Sequence, residues 1–155
     1  MGVLAGVSKV LVEKSAAGMK LIGILALSAA AVAGVAGQAA KTVWDGVYSE
    51  AQAGRGKKAY ITHCAECHNE GLQGGDLAPA LKGEDFLLRW NDKSMAELFE
   101  RTQKTMPQNN PNGLMPQETA DILAYVLPVN RMPGGAADLP ADAGALKAIA
   151  MTKAK

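Results

Sequence analysis

The chain has 155 residues, and its 16 basic and 15 acidic side chains leave a formal charge of +1. That balance excludes a strongly basic nucleic-acid footprint and an acidic disordered tail. Hydrophobic residues reach 48%, but aromatics supply only 5%, so side chains alone give a small domain few large bodies to bury. Either the fold is loose or something other than side chains fills its middle.

Between Lys20 and Lys41 no residue is charged. Leu21, Ile22, Ile24, Leu25 and Leu27 form an apolar centre, and the rest of the run to Ala40 is mostly Ala and Gly. A basic start, a short greasy centre and a small-residue exit are the pattern of a secretory signal. A spanning helix needs roughly 20 strongly apolar residues, and this run loses hydrophobicity halfway. Residues 1–39 are therefore expected to be a cleaved targeting segment, with Met19 as a plausible true start. Retention as a membrane anchor is the alternative. From Lys41 onward 13 basic and 14 acidic residues remain, a formal −1. Export to the periplasm places both cysteines in an oxidising compartment, where a disulfide is the default.

Residues 40–53 read as an N-terminal extension, 54–131 as the main domain and 132–155 as a flexible tail. Within the domain, residues 51–67 read as a helix, with Ala53, Gly56, Tyr60 and Cys64 recurring on one side. Residues 69–83 are Gly-rich loop containing Pro79. Ser94 followed by Glu97 resembles a capping box and opens a helix carrying Met95, Leu98 and Phe99. After a turn-rich stretch at 107–112, Pro116 suits a first helical position, and that helix should stop near Pro128. The Gly-, Ala- and Pro-rich tail after Met132 predicts mobility. No strand pair and no repeat is evident.

Residues 64–68 read Cys64, Ala65, Glu66, Cys67, His68. Cys-x-x-Cys-His is the pattern of covalent haem attachment. On a helix, positions i, i+3 and i+4 share a face, so two thiols and one imidazole can all address one flat object. A disulfide or redox dithiol would want a βαβ setting, which is not visible. A zinc site on His63, Cys64, Cys67 and His68 would crowd every ligand into six residues, whereas structural zinc draws on separated segments. Both stay open as alternatives, as does a chance match, but the scarcity of aromatics favours a porphyrin. His63 adjoins Cys64 and cannot cross to the far face, so it reads as exposed. With no further histidine, methionine is the natural sixth ligand, and a thioether raises the reduction potential. Met95 belongs to a core-facing stripe. Met106 and Met115 each precede proline in a turn-rich loop, and Met106 has the longer reach.

Over residues 54–130 the sequence resembles the class I c-type cytochromes. Gly56 and Tyr60 stand eight and four residues before Cys64, and Ile122 and Tyr125 lie three apart in the last helix, as in that family. The resemblance implies an all-α, small cytochrome c fold with three to four helices around one covalently attached haem c. It implies that the two helices cross closely at Gly56, and that the Pro79 carbonyl accepts the Nδ1 proton of His68. It also implies that Met106 is the distal ligand and that Trp90 can reach a haem propionate. Val43, Trp44, Asp45, Gly46, Val47 and Tyr48, with Gln52 and Arg55, are similar to short periplasmic cytochromes linked to quinoprotein (PQQ) dehydrogenases. Leu114, Met115 and Pro116 depart from the family pattern and give the last helix a weak start.

The expected cofactor-binding set is thus Cys64, Cys67, His68, Pro79, Trp90 and Met106, with His68 and Met106 on the iron. The expected role is a single-haem electron carrier rather than an enzyme, moving one electron in a respiratory chain. Its partners would be a periplasmic dehydrogenase or quinol-oxidising complex and a downstream cytochrome or oxidase. Nucleic acid is not expected, and membrane only if the leader is retained. A haem enzyme or gas sensor with a labile sixth ligand is the alternative.

Overall fold

The computed structural model describes residues 41–153; the expected targeting segment lies outside them. Helix α1 (Glu50–His63) starts where Ser49, in an extended conformation, accepts a hydrogen bond from the Gln52 N–H. Its buried face carries Gln52, Ala53, Gly56 and Tyr60. That face packs on α5 (Pro116–Val129), whose start has Pro116 in its first turn and no side-chain cap at Met115. A Cβ placed on Gly56 would lie 1.7 Å from the Asp121 carbonyl oxygen, so only glycine permits the approach. One turn on, the Tyr60 and Tyr125 rings meet at 5.5 Å and a 56° tilt, a favoured aromatic geometry.

The expected single helix over 51–67 is in fact two. The chain leaves α-geometry at Cys64 (φ −125°), and a short helix α2 (Ala65–His68) follows. Helix α3 (Gly83–Trp90) was not anticipated; it buries Phe86 and Trp90, four residues apart on one face. Helix α4 (Met95–Thr105) opens on the expected capping box: the Ser94 N–H donates to Glu97 Oε2 at 2.8 Å, and the Glu97 N–H donates back to Ser94 Oγ at 3.3 Å. Met95, Ala96, Leu98 and Phe99 are its buried residues. The last long helix outlasts Pro128 by one residue, since a proline in a final turn forfeits only its own N–H bond.

Two expectations need correction. A three-stranded sheet exists, formed by β1 (Lys41–Thr42), β2 (Lys93–Ser94) and β3 (Ile149–Met151) in the order β1-β3-β2. Strand β3 runs parallel to β1 and antiparallel to β2. Strands of two or three residues carry no alternation for a sequence reading to detect. The segment after Met132, expected as a loose tail, packs against the helices over its described length, 132–153. Met132, Leu139, Leu146 (in the short helix α6, Ala143–Leu146), Ile149 and Met151 are all buried. Tyr48 donates its hydroxyl to the Met132 carbonyl at 2.9 Å, and Trp44 Nε1 donates to the Thr152 carbonyl at 2.8 Å. The tail's few buried apolar residues belong to the same core as Val43, Tyr48 and the buried face of α4, with α6 and β3 packing on α4, which its Gly/Ala/Pro composition conceals. The expected N-terminal extension and tail therefore complete one core with the helices between them.

The described helices are all-α in character around that small sheet, the fold class expected of a small cytochrome c fold. No helix among the described residues is long and apolar enough to cross a membrane.

Candidate haem site

A cavity of about 320 Å³ opens between the α1–α2 junction, the loop after α2, and helices α3, α4 and α5. Its walls are mainly apolar: Leu77, Leu81, Phe86, Leu98, Ile122, Leu123 and Val126 among them. All six residues expected from the sequence line it: Cys64, Cys67, His68, Pro79, Trp90 and Met106. Four separate parts of the chain supply them.

His68 is buried, and its Nδ1 lies 2.8 Å from the Pro79 carbonyl oxygen. A carbonyl can only accept, so the proton sits on Nδ1 and the Nε2 lone pair is left free for a metal. The loop that brings Pro79 round is itself tied down. Asn69, at a φ of 61°, donates from Nδ2 to the Gly74 carbonyl at 2.6 Å, and Leu81 N–H donates to the Leu72 carbonyl at 2.9 Å. Tyr60 Oη donates to the Asn69 carbonyl at 2.7 Å, which fixes the start of this loop to α1. Both cysteines are free thiols; Cys67 is exposed and Cys64 half-buried. Burial, with the Glu118 carboxylate and then Cys67 adding to it, pushes the Cys64 thiol up to about 11.

Met106, also in the cavity lining, follows the last residue of α4, its N–H bonded to the Thr102 carbonyl at 2.8 Å. Met115 lines no part of the cavity and is 68% exposed, while Met95 is wholly buried in the core. Trp90 arrives from α3 with Arg89 beside it, and Arg101 comes from α4. Neither arginine was singled out in the sequence, because nothing local marks a charge as cavity-facing.

His63 corrects another expectation. It is half-buried rather than exposed, lines the cavity, and places Nε2 3.0 Å from Glu118 Oε1 on α5. Those two residues are 55 apart in the chain, and no spacing rule relates them.

The cavity fits a haem by the chemistry of its donors: two free thiols three residues apart, an imidazole with its metal-binding nitrogen unencumbered, and a thioether, all on one apolar enclosure. The family model described as cytochrome C oxidase, cbb3-type, subunit III matches residues 51–126. Residues 51–126 form a c-type cytochrome domain. The matched stretch contains α1 to α4 and most of α5, and with them every expected cofactor-binding residue. The cytochrome domain binds one covalently attached haem c, and its activity is haem electron transfer. Neither a curated protein nor a solved structure matches the chain. The flanks of this domain, residues 41–50 and 127–153, lie outside the matched stretch although they share its core.

Proposed function

We propose that this cytochrome is an exported single-haem carrier whose iron is held by His68 Nε2 and Met106 Sδ. The Cys64 and Cys67 thiols hold the porphyrin through thioether bonds. The single observation that carries this reading is that Met106 shares an apolar cavity with His68, while Met115 stands in solvent. When bound, haem supplies a one-electron ferric–ferrous couple. The chain's own residues keep that couple simple. Pro79 holds His68 in one tautomer and one orientation, and side chains of α3, α4 and α5 give the cavity its apolar walls. Were His68 and Met106 both to hold the iron, no open position would remain for a substrate, which supports a carrier over an enzyme.

The donor and acceptor follow from weaker support. The matched family model describes a subunit of a terminal oxidase, which supports an oxidase or an intermediate cytochrome as acceptor. The likeness of residues 43–56 to cytochromes of quinoprotein dehydrogenases supports a periplasmic dehydrogenase as donor, with a quinol-oxidising complex as the other candidate. The apolar run after Lys20 supports periplasmic location, either free after cleavage or tethered by that run. Docking at the cavity mouth would use a small, short-lived interface.

The test is an oxidised and reduced visible spectrum of the protein matured in a cell with a haem-attachment pathway. Low-spin bands with the weak far-red iron–sulfur band are expected. Haem without that band, together with rapid carbon monoxide binding, would overturn the carrier reading in favour of a gas sensor or haem enzyme.

A further inference from the structure

A second face of α3 borders an open groove of about 510 Å³. Phe86 and Trp90 line the haem cavity, whereas Gly83, Glu84 and Leu87 line the groove, so α3 stands between the two. The end of α5 supplies Val129 and the buried Asn130. Leu87 and Val129 are half-buried and give the groove its apolar surface. Three cations border it, Lys82, Arg131 and Lys153, with Glu84 as the acidic residue among them. Among the described residues none of these three forms an ion pair, unlike Arg55, Lys93 and Lys104.

These side chains rise from backbone that is already fixed. Asn130 donates from Nδ2 to the Leu81 and Val126 carbonyls, at 3.0 and 2.9 Å. Its Oδ1 accepts from the Gly83 N–H at 3.0 Å, so the chain on either side of Lys82 is tied to the end of α5. The Lys153 N–H donates to Asn91 Oδ1 at 3.1 Å. Arg131 stands just past α5 at a φ of 65°, its N–H donating to the Pro128 carbonyl at 2.9 Å. Glycine is the favoured residue at that left-handed position after a helix. An arginine there gives up backbone ease and places a guanidinium at the groove. Arg131 and Lys153 also lie beyond residues 51–126, so the matched family model does not supply this groove.

We infer that this groove docks an extended acidic segment of a partner protein. Its mixed lining selects that occupant. Carboxylates suit Lys82, Arg131 and Lys153, an apolar side chain suits Leu87 and Val129, and backbone N–H groups of the segment suit the Glu84 carboxylate. Inorganic phosphate brings no apolar part, and its charge opposes Glu84. A flat anionic membrane does not enter a concave groove. Uncompensated cations steer an acidic partner toward this face, although residues 41–155 sum to a formal −1 from 13 basic and 14 acidic side chains. The fixed backbone lessens the ordering that binding must supply. This contact face is separate from the cavity mouth, and the inference needs no assumption about the ligands of the iron.

The test titrates the haem-loaded protein with a synthetic glutamate-rich peptide that carries a central leucine, followed by amide NMR. Shifts are expected at Leu87, Val129, Arg131 and Lys153, and binding should weaken as salt is added. Arg131→Glu and Lys153→Glu should each weaken the peptide about tenfold. Arg131→Gly suits the backbone, so it should not lower the thermal midpoint while it too weakens the peptide. Shifts confined to the cavity mouth, no shifts at all, or unchanged binding in Arg131→Glu and Lys153→Glu would overturn the inference. So would matching shifts from inorganic phosphate at the same concentration, which would mark a site for small anions. Binding to vesicles of anionic lipid and not to the peptide would overturn it as well. None of these outcomes bears on the iron: the far-red band tests the carrier reading separately, and its absence would leave the groove's role standing.

Discussion

Gln52 on α1 and Leu139 in the C-terminal segment exchange two hydrogen bonds: Gln52 Nε2 donates to the Leu139 carbonyl at 3.0 Å, and the Leu139 N–H donates to Gln52 Oε1 at 2.6 Å. Both residues are buried, and they are 87 positions apart. A glutamine that mimics a strand edge in this way fastens the C-terminal segment to the helix that leads into the haem motif.

Replacing Gln52 with Met should therefore cost about 2–4 kcal/mol, because two buried backbone groups of Leu139 lose their partners at once. Denaturant unfolding of the haem-loaded protein measures it. A midpoint equal to that of the unaltered protein would show that water satisfies those groups and that the segment is held by its apolar side chains alone.

Gly56→Ala is expected to be comparably damaging although it adds only one methyl. The atom it would meet is backbone, the Asp121 carbonyl oxygen at 1.7 Å, so α1 and α5 must separate. A loss of about 3 kcal/mol follows from overpacking at such a site, read as a fall in thermal midpoint. An unchanged midpoint would mean that the two helices do not cross where the structure has them.

The two candidate methionines separate cleanly by substitution. Met106→Ala should abolish the far-red iron–sulfur band while covalent haem remains, because the thioether attachments at Cys64 and Cys67 do not depend on it. Met115→Ala should leave the band in place. Loss of the band in Met115→Ala alone would reverse the assignment.

Acid should destabilise the fold in a defined direction. The Ser94 N–H and hydroxyl hold Glu97 below its ordinary range, the Lys104 ammonium does the same for Glu100, and the Ser49 hydroxyl followed by Arg55 does so for Asp138. A carboxyl depressed in the folded state binds its proton more readily when unfolded. Its contribution is fully present above the unfolded value of about 4 and is lost as pH falls through the lower folded value. The denaturation midpoint should accordingly fall between about pH 5 and about pH 3, and Asp138→Asn should flatten part of that slope. All three groups are exposed, so added salt should weaken the effect. An equal slope in Asp138→Asn would remove this carboxylate from the account.

Much of the helical framework was legible because its signals are local. Ser94 and Glu97 announce the start of α4 from three residues apart, and Pro116 that of α5. Helix α3 escaped notice because Gly83 and the polar Glu84 and Asp85 hide a two-residue apolar face, Phe86 and Trp90, that becomes a face only when a cavity lies beneath it. The end of α1 differs from the expectation because the chain leaves helical geometry at Cys64 inside an otherwise unbroken periodic run.

The sequence by itself determined the cofactor chemistry. Two thiols and an imidazole at i, i+3 and i+4 stand within about one turn of each other, and that spacing favours one flat ligand over a zinc or dithiol site. Pro79, Gly56 and Tyr60 were legible by resemblance to a known pattern. Only the tertiary structure decided which methionine reaches the cavity, where His63 finds its carboxylate, and that residues 132–153 anchor five apolar side chains in the core. Each of those depends on a meeting between residues tens of positions apart, and such meetings are fixed by burial and packing of the whole chain, which leave no periodic mark in any one segment.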